Sequence, residues 1–291
     1  MIPATFDYHA PTTVDEAIAL LQQHGDEAKI LAGGHSLLPM MKLRFASPEH
    51  IIDINNVAGL SYIKEEDGHL KFGAMTRESE IEDSEAVVKK FPIFSDANKL
   101  IADPQVRNMG TIGGNLAHGD AANDHPAVML ALRATIEIAG STGKRTVPID
   151  EFFFGFYSTA VQADEILTEI SMPIPGPGTG SAYHKLERKV GDYATAGVAV
   201  QLTIDGNNNC QEIGIGLTNV NPVPLRAVRS EDALRGQVIT DELIAQAAQF
   251  ASEDCSPSED LRGDEEYKRA MIGVLTKRMI KRALERAQSN L

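Results

Sequence analysis

Two Gly-Gly patches constrain this chain more than any other feature: Ala32-Gly33-Gly34-His35-Ser36, and Gly110-Thr111-Ile112-Gly113-Gly114-Asn115-Leu116. Glycine lets a backbone approach a neighbour closely or adopt positive φ. Amides freed in this way converge readily on phosphate oxygens, and Ser36, Thr111 and Asn115 offer further hydrogen bonds. Taken singly, each patch reads as a tight turn. Taken together, as two glycine hairpins from different subdomains, they would enclose a diphosphate from both sides. The chain has no GxGxxG and no GxxxxGK[ST], so neither a Rossmann nor a Walker phosphate site is supported. His118, Asp120, Asp124 and His125 follow the second patch, but their order matches no metal-site spacing and reads as loop polarity or ligand hydrogen bonding. No GxSxG elbow marks a nucleophile.

Composition narrows the function classes. The 291 residues are 43% hydrophobic, enough for one large domain or two, and the net charge of −14 should repel nucleic acid and anionic membrane. Two cysteines, Cys210 and Cys255, cannot hold an iron–sulfur cluster or a four-cysteine zinc site and read as inert thiols. Their scarcity suits a reducing cytoplasm, no basic region followed by an apolar run suggests a secretory signal, and no stretch is long and apolar enough to span a membrane.

Thr13-Val14-Asp15-Glu16 reads as a capping box opening a helix that Gly25 stops. Strands are expected over 28–32 and 50–54 with a helical turn over 36–43, so residues 1–56 form a small β/α unit with a glycine turn at a strand's end. A strand follows over 70–75, Thr76 with Ser79 and Glu80 starts a helix, and 94–101 continues helical. Helices over 124–132 and near 150–158, with strands over 134–139 and 165–171, complete a second α+β unit. Pro173-Ile174-Pro175-Gly176-Pro177-Gly178-Thr179-Gly180 is the best linker and places a boundary near residue 177. Beyond it lie three strands over 181–190, 195–204 and 211–219, the last two joined by an Asp205–Asn209 turn, and then helices over 229–235, 240–252 and 264–288. The last carries Met271, Leu275, Met279 and Ile280 on one stripe, with Lys277, Arg278, Lys281, Arg282 and Arg286 as its wet face. Phe152, Phe153, Phe154, Phe156 and Tyr157 read as packing between subdomains, or else as a docking patch.

The segments AGGHSLLPMMKLR (32–44) and TIGGNLAHGDAANDHPAVMLAL (111–132), with YHKLERKVGDYA starting at Tyr183, resemble in order and spacing the flavoprotein subunit of the xanthine dehydrogenase family. The likeness is nearest to the medium subunits of aerobic, molybdenum-containing carbon monoxide dehydrogenases and covers essentially the whole chain. It implies an α+β fold with a two-subdomain FAD-binding domain of the vanillyl-alcohol oxidase (PCMH) type over 1–177, with subdomains about 1–56 and 57–177. A C-terminal domain over 178–291 follows, a three-stranded antiparallel sheet plus helices. Carried over onto this sequence, Ala32, Gly33, Gly34, His35 and Ser36 would wrap the FAD diphosphate from one side, and Thr111, Gly113, Gly114 and Asn115 from the other. Asp124, Leu167, Lys185, Tyr193 and, on spacing alone, Ile101 would complete the flavin site. Without the resemblance, Lys185 reads equally as a solvated lysine and Tyr193 as a core residue. His35 stands where the family more often has Gln, and Gly119-Asp120-Ala121-Ala122 replaces its common Ala-Asp-Pro-Ala. The nearest cations to the glycine patches, Lys42, Arg44 and Arg107, are few, so amides and hydroxyls would have to hold the anion.

The implied function is that of an electron-output subunit in a molybdenum hydroxylase. It would take electrons from two [2Fe–2S] clusters in a small partner subunit and pass them to an external acceptor, while a large molybdopterin subunit oxidises carbon monoxide, an aldehyde or an N-heterocycle. The implied assembly is an obligate heteromer, a dimer of heterotrimers. No catalytic acid, base or metal is expected in this chain. The rival readings are a stand-alone FAD-dependent oxidase or dehydrogenase, and a flavin-free assembly or regulatory protein.

Overall fold

The computed structural model describes residues 2–291. The chain opens with β1 (Asp7–His9), α1 (Val14–His24), β2 (Ala28–Leu31), α2 (Leu37–Leu43) and β3 (His50–Asp53). The three strands form a parallel sheet in the order β1-β3-β2. The capping box is present: Thr13 Oγ1 accepts from the Glu16 amide at 3.1 Å, and the Glu16 carboxylate accepts from the Thr13 amide at 3.3 Å. Ala17, Ile18 and Leu21 then bury one face of α1, and Gly25 ends it at φ +52°. Three-residue β1, polar in sequence, escapes the periodicity reading.

The second unit contains β4 (Ile63–Glu66), β5 (His69–Gly73), α3 (Glu78–Asp83), α4 (Glu85–Lys90), α5 (Pro92–Asn98), α6 (Pro104–Arg107), α7 (Ile112–His118) and α8 (Asp124–Leu132). It continues with β6 (Thr135–Gly140), β7 (Gly143–Pro148), β8 (Phe153–Gly155), β9 (Ser158–Thr159) and β10 (Ile166–Pro173). Five of these strands make an antiparallel sheet in the order β4-β5-β10-β6-β7. Several expectations fail here. Thr76 does not cap α3; it is buried, and its hydroxyl bonds the Tyr62 carbonyl at 2.9 Å, while Arg77 is the cap residue. The helix over 94–101 ends at Asn98. The helix near 150–158 is a single 3₁₀ turn, Ile149–Glu151, followed by the β8–β9 hairpin. Its aromatic cluster divides: Phe152 is fully buried, whereas Phe154 and Phe156 are 66% and 69% exposed.

The C-terminal unit has β11 (Thr179–Leu186), β12 (Ala196–Ile204), β13 (Cys210–Thr218), β14 (Leu225–Arg226), α9 (Val228–Leu234), α10 (Asp241–Asp254) and α11 (Glu265–Gln288). The three long strands are those expected, and two-residue β14 adds a fourth at the edge of the antiparallel sheet β11-β12-β13-β14. Helix α11 packs on β11 and β12, with Leu275, Met279 and Ile280 buried. On the β12–β13 side lies α8, all nine of whose residues are buried. Gly214 and Gly216 permit this approach, since a Cβ at either would sit 2.2 or 2.1 Å from the carbonyl oxygens of Ala131 and Ala127. Tyr183 and Ala199 accordingly belong to the core of the second unit. Cys210 and Cys255 are free and buried, with thiols pushed up by burial to about 11 and about 12, as inert thiols should be. Among the described residues no helix is long and apolar enough to cross a membrane.

The basic face of α11 is not simply wet. Arg282 and Arg286 bind the carboxylate of Asp96 on α5 at 2.8 and 2.7 Å, and Asp96 also accepts from the Tyr183 amide at 3.3 Å. The Asp96 side chain is only 7% exposed. Asp96→Ala removes the anion and leaves two guanidinium groups facing each other, which should lower the unfolding free energy by about 2–4 kcal/mol. Denaturant titration checks this; an unshifted midpoint would show the contact to be inert.

Candidate functional site

The two glycine patches meet. Strand β2 runs into Gly33, where a Cβ would lie 2.2 Å from the Met109 carbonyl oxygen and 2.9 Å from Gly110 Cα. Only a residue without a side chain fits that approach. Asn55 and Arg77 clamp the junction: Asn55 Nδ2 donates to the Ala32 carbonyl at 2.9 Å, and Arg77 donates to Asn55 Oδ1 at 2.5 Å and to the Met109 carbonyl. Sequence reasoning missed both clamp residues, because nothing in their local spacing marks them.

Beside this junction opens a cavity of about 810 Å³, within the range of roughly 300–1,000 Å³ common for small-molecule and cofactor sites. Ala32, Gly33, Gly34, His35, Ser36 and Ile101 line it, as do Thr111, Gly114, Asn115, Asp124, Lys185 and Tyr193. Two expected residues do not. Leu167 is buried in the core at a bulge of β10, and Gly113 packs against Ala74, where a Cβ would meet both the side chain and the carbonyl at 2.6 Å.

The two patches are chemically unlike. In the first, Gly34 adopts φ +78°, and among the described residues no acceptor is found for the amides of Gly33, Gly34, His35 or Ser36. The Ser36 hydroxyl makes no capping bond to α2. The second is no hairpin: it is the first turn of α7. Thr111 caps it by accepting from the Gly114 amide at 3.2 Å, while the Gly113 amide donates to the Ala74 carbonyl at 2.9 Å and the Asn115 amide to the Thr111 carbonyl at 2.9 Å. This patch therefore presents bare Cα surface at Gly114 and the side chain of Asn115, whose buried Oδ1 has no partner.

A buried ionic network forms another wall. Asp124, at the start of α8, accepts from Tyr183 Oη at 2.5 Å and from Lys185 Nζ at 2.8 Å. Lys185 Nζ also donates to the Asp192 carbonyl at 2.8 Å. Lys185 is 3% exposed, which removes the solvated-lysine reading. Burial raises the Asp124 carboxyl above its ordinary range, outweighing Lys185 and Tyr183, and raises the Tyr183 hydroxyl well above its usual value. The turn after β11 leans on Ala102, 2.4 Å from where a Gly191 Cβ would be. It presents Tyr193, 43% exposed, with the Arg262 guanidinium 5.5 Å from the ring centroid. Arg262 and Arg188 hold the Asp192 carboxyl down at about 2.

His118, Asp120, Asp124 and His125 do not converge on a metal. His125 pairs with Glu78 at 2.6 Å in the core, and although burial opposes its charge, Glu78 raises its pKa overall. His118 lines the cavity, its ring 4.8 Å from that of Tyr157. Asp120 accepts from the Ala122 amide at 2.9 Å. The cations at the cavity are Lys29 and Lys185, not Lys42, Arg44 or Arg107; Arg107 binds Glu82 at 2.8 Å and the Ile101 carbonyl at 3.0 Å.

A family profile described as the FAD binding domain in molybdopterin dehydrogenase matches residues 4–175, and one described as the CO dehydrogenase flavoprotein C-terminal domain matches residues 181–283. The chain is 51% identical over 286 residues to the carbon monoxide dehydrogenase medium chain of Hydrogenophaga pseudoflava, covering 98% of this chain and 99% of that one. It is 44% identical over 289 residues to the medium chain from Afipia carboxidovorans, covering 99% and 100%. A solved structure of carbon monoxide dehydrogenase from Hydrogenophaga pseudoflava, lacking the Mo-pyranopterin moiety of its cofactor, superposes with TM-score 0.96 at 52% identity, over 98% of this chain and 99% of that one.

The raised Asp124 carboxyl gives a pH signature. With the folded pKa above the unfolded one, the folded chain keeps a proton that the unfolded chain has released, so this group's contribution falls as pH climbs through that window. Lys185→Met removes the neutralising cation and widens the window. The variant should be less stable by about 3–5 kcal/mol near neutrality and by less near pH 5. Denaturant midpoints at both pH values check this; a pH-independent difference would show that Lys185 does not neutralise Asp124.

Proposed function

The chain belongs to the FAD-binding medium subunits of the carbon monoxide dehydrogenase and xanthine dehydrogenase family of molybdenum hydroxylases, and from that membership we propose that it is the electron-output subunit of such a complex. The observation that carries this is the cavity itself: a bare-backbone junction, a run of free amides and an unpartnered Asn115 oxygen surround one space. These residues fit FAD. The amides of Gly33, Gly34, His35 and Ser36 would take the diphosphate, with the Ser36 hydroxyl beside them. The flat surface of Gly114 would let the dinucleotide lie against α7, and Asn115 Oδ1 would accept a hydrogen bond from it. The first patch thus binds by donation and the second by shape, in an acidic chain whose cavity also holds Glu78, Asp124, Glu165 and Asp192.

FAD held there would supply the redox chemistry, and the complex would pass electrons from [2Fe–2S] clusters of a small partner subunit to an external acceptor. The chain's own residues position and enclose it. Lys185, held by Asp124 and the Asp192 carbonyl, would present its ammonium stem at the wall, and Tyr193, with the Arg262 guanidinium beside its ring, would offer an aromatic face to the flavin. The large molybdopterin subunit would choose the substrate, and the full assembly would be a dimer of heterotrimers in the cytoplasm. The same reading divides the chain into an FAD-binding domain over 1–177 and a C-terminal domain over 178–291, in keeping with sheets that do not cross residue 177.

Gly114→Val places methyl groups in the cavity and presses on Thr111 Oγ1, 2.7 Å from the added Cβ. Flavin per chain should fall at least tenfold with the circular dichroism of the fold retained, and Asn115→Leu should show a smaller loss. Full retention in both would remove the cradle. For the relay, the purified chain alone should keep its flavin colour when carbon monoxide, aldehydes or N-heterocycles are added anaerobically, and should bleach once the iron–sulfur and molybdenum subunits are restored. Bleaching without partners would favour the stand-alone enzyme.

A further inference from the structure

The β1–β3–β2 sheet holds a cluster of three histidines, none of which lines the cavity: His9 at the end of β1, His24 at the end of α1, and His50 at the start of β3. Each offers a ring nitrogen, and the three nitrogens lie within 4.8 Å of one another. His9 Nε2 and His50 Nδ1 face each other at 3.2 Å, and the His24 and His50 rings stack with centroids 3.7 Å apart. His24 Nε2 is buried with no hydrogen-bond partner.

Packing alone explains this cluster poorly. Apolar side chains would fill the space without orphaning a polar nitrogen, and a buried unpaired nitrogen is unfavourable. Three imidazole nitrogens gathered in one small volume are the donor set that a borderline divalent metal takes.

We propose that His9, His24 and His50 form a binding site for a divalent transition cation of the zinc type. Tetrahedral coordination at about 2.0–2.1 Å sets neighbouring ligand nitrogens about 3.3 Å apart, close to the observed His9–His50 separation. Half-buried side chains leave the rings room to turn inward by the remaining distance. The fourth position falls to water or to Asp7, whose exposed Oδ2 lies 3.9 Å from His50 Nδ1 and can swing in. Copper would bind more tightly by the general order of divalent affinities, so zinc is the occupant on availability. The bound ion would join the end of α1 to β1 and β3, and β2 of the same sheet leads directly into the first glycine patch, so the site acts as a staple behind that wall of the cavity. It rests on these side chains and not on the reading of the cavity.

The test uses the full chain without an affinity tag, stripped by dialysis against a chelator and titrated with Co²⁺. One Co²⁺ per chain should bind with the ligand-field absorption of a tetrahedral nitrogen–oxygen site, and one equivalent of Zn²⁺ should displace it. X-ray absorption at the zinc edge should count three imidazoles. His24→Gln and His50→Gln should each weaken Zn²⁺ binding at least tenfold while flavin per chain stays unchanged. Absence of a saturable Co²⁺ site in the unaltered chain would overturn the proposal whether or not the variants fold. So would an imidazole count below two, or equal affinity in folded variants.

Discussion

Everything at the candidate site depends on one close approach. At Gly33 the backbone of the first subdomain lies against the Met109 carbonyl of the second at a distance that no Cβ can share. Two subdomains that met through side chains would stand several ångströms further apart, and the free amides of the first patch would face solvent. Because they meet through bare backbone, the clamp by Asn55 and Arg77 can be made from main-chain carbonyls on both sides, Ala32 and Met109. The cavity is thus a consequence of how the subdomains touch, with its polarity set by which amides that contact leaves unused.

That arrangement also bears on how an acidic protein holds an anion. Its carboxylates are largely neutralised where they come near the cavity: Asp124 by Lys185, Asp192 by Arg188 and Arg262, and Glu78 by His125. None of these cations is left free to act as a simple phosphate clamp. Backbone amides carry partial positive charge without counter-ions and without a desolvation penalty comparable to that of a buried ammonium. The two patches differ in their free amides accordingly, since those of α7 are already committed to helix and to Ala74.

Much of this was legible in the sequence where the signal is local. The Thr13–Glu16 box, the Gly25 stop, the linker after Pro173, the Asp205–Asn209 turn and the three C-terminal helices are each specified by residues adjacent in the chain. The misses are places where tertiary contact overrides local preference. Two consecutive glycines disfavour a helix by about 1 kcal/mol each, so Ile112–His118 reads as a loop. It is helical because Thr111 caps it and because Gly113 must lie flat on Ala74. The 150–158 segment is rich in aromatics that suit a helix stripe, yet only Phe152 is fully buried, with Phe153 packed partly against the same core. Arg282 and Arg286 look like a solvated face because their partner, Asp96, lies 186 and 190 residues away in the chain. Lys185 was found through family likeness, while its chemistry came from Asp124, which no spacing rule connects to it.

The C-terminal unit is more than an appendage to the cavity, and helix α8 shows why. Asp124 stands at its first turn and faces the cavity, while Ala127 and Ala131 further along rest directly on Gly216 and Gly214 of β13. Lys185 and Tyr183, which fix the Asp124 carboxylate, come from β11 of that same sheet. The buried acid therefore sits on a helix whose position is set by the sheet that supplies its counter-ion and its hydroxyl donor. A shift of the sheet would carry the helix and both partners together and preserve the network, whereas a side chain added at Gly216 would move α8 away from β11 and break it. The geometry at the cavity wall is thus defined relative to the C-terminal sheet, and the glycines of β13 help to set the shape of a cavity they do not line.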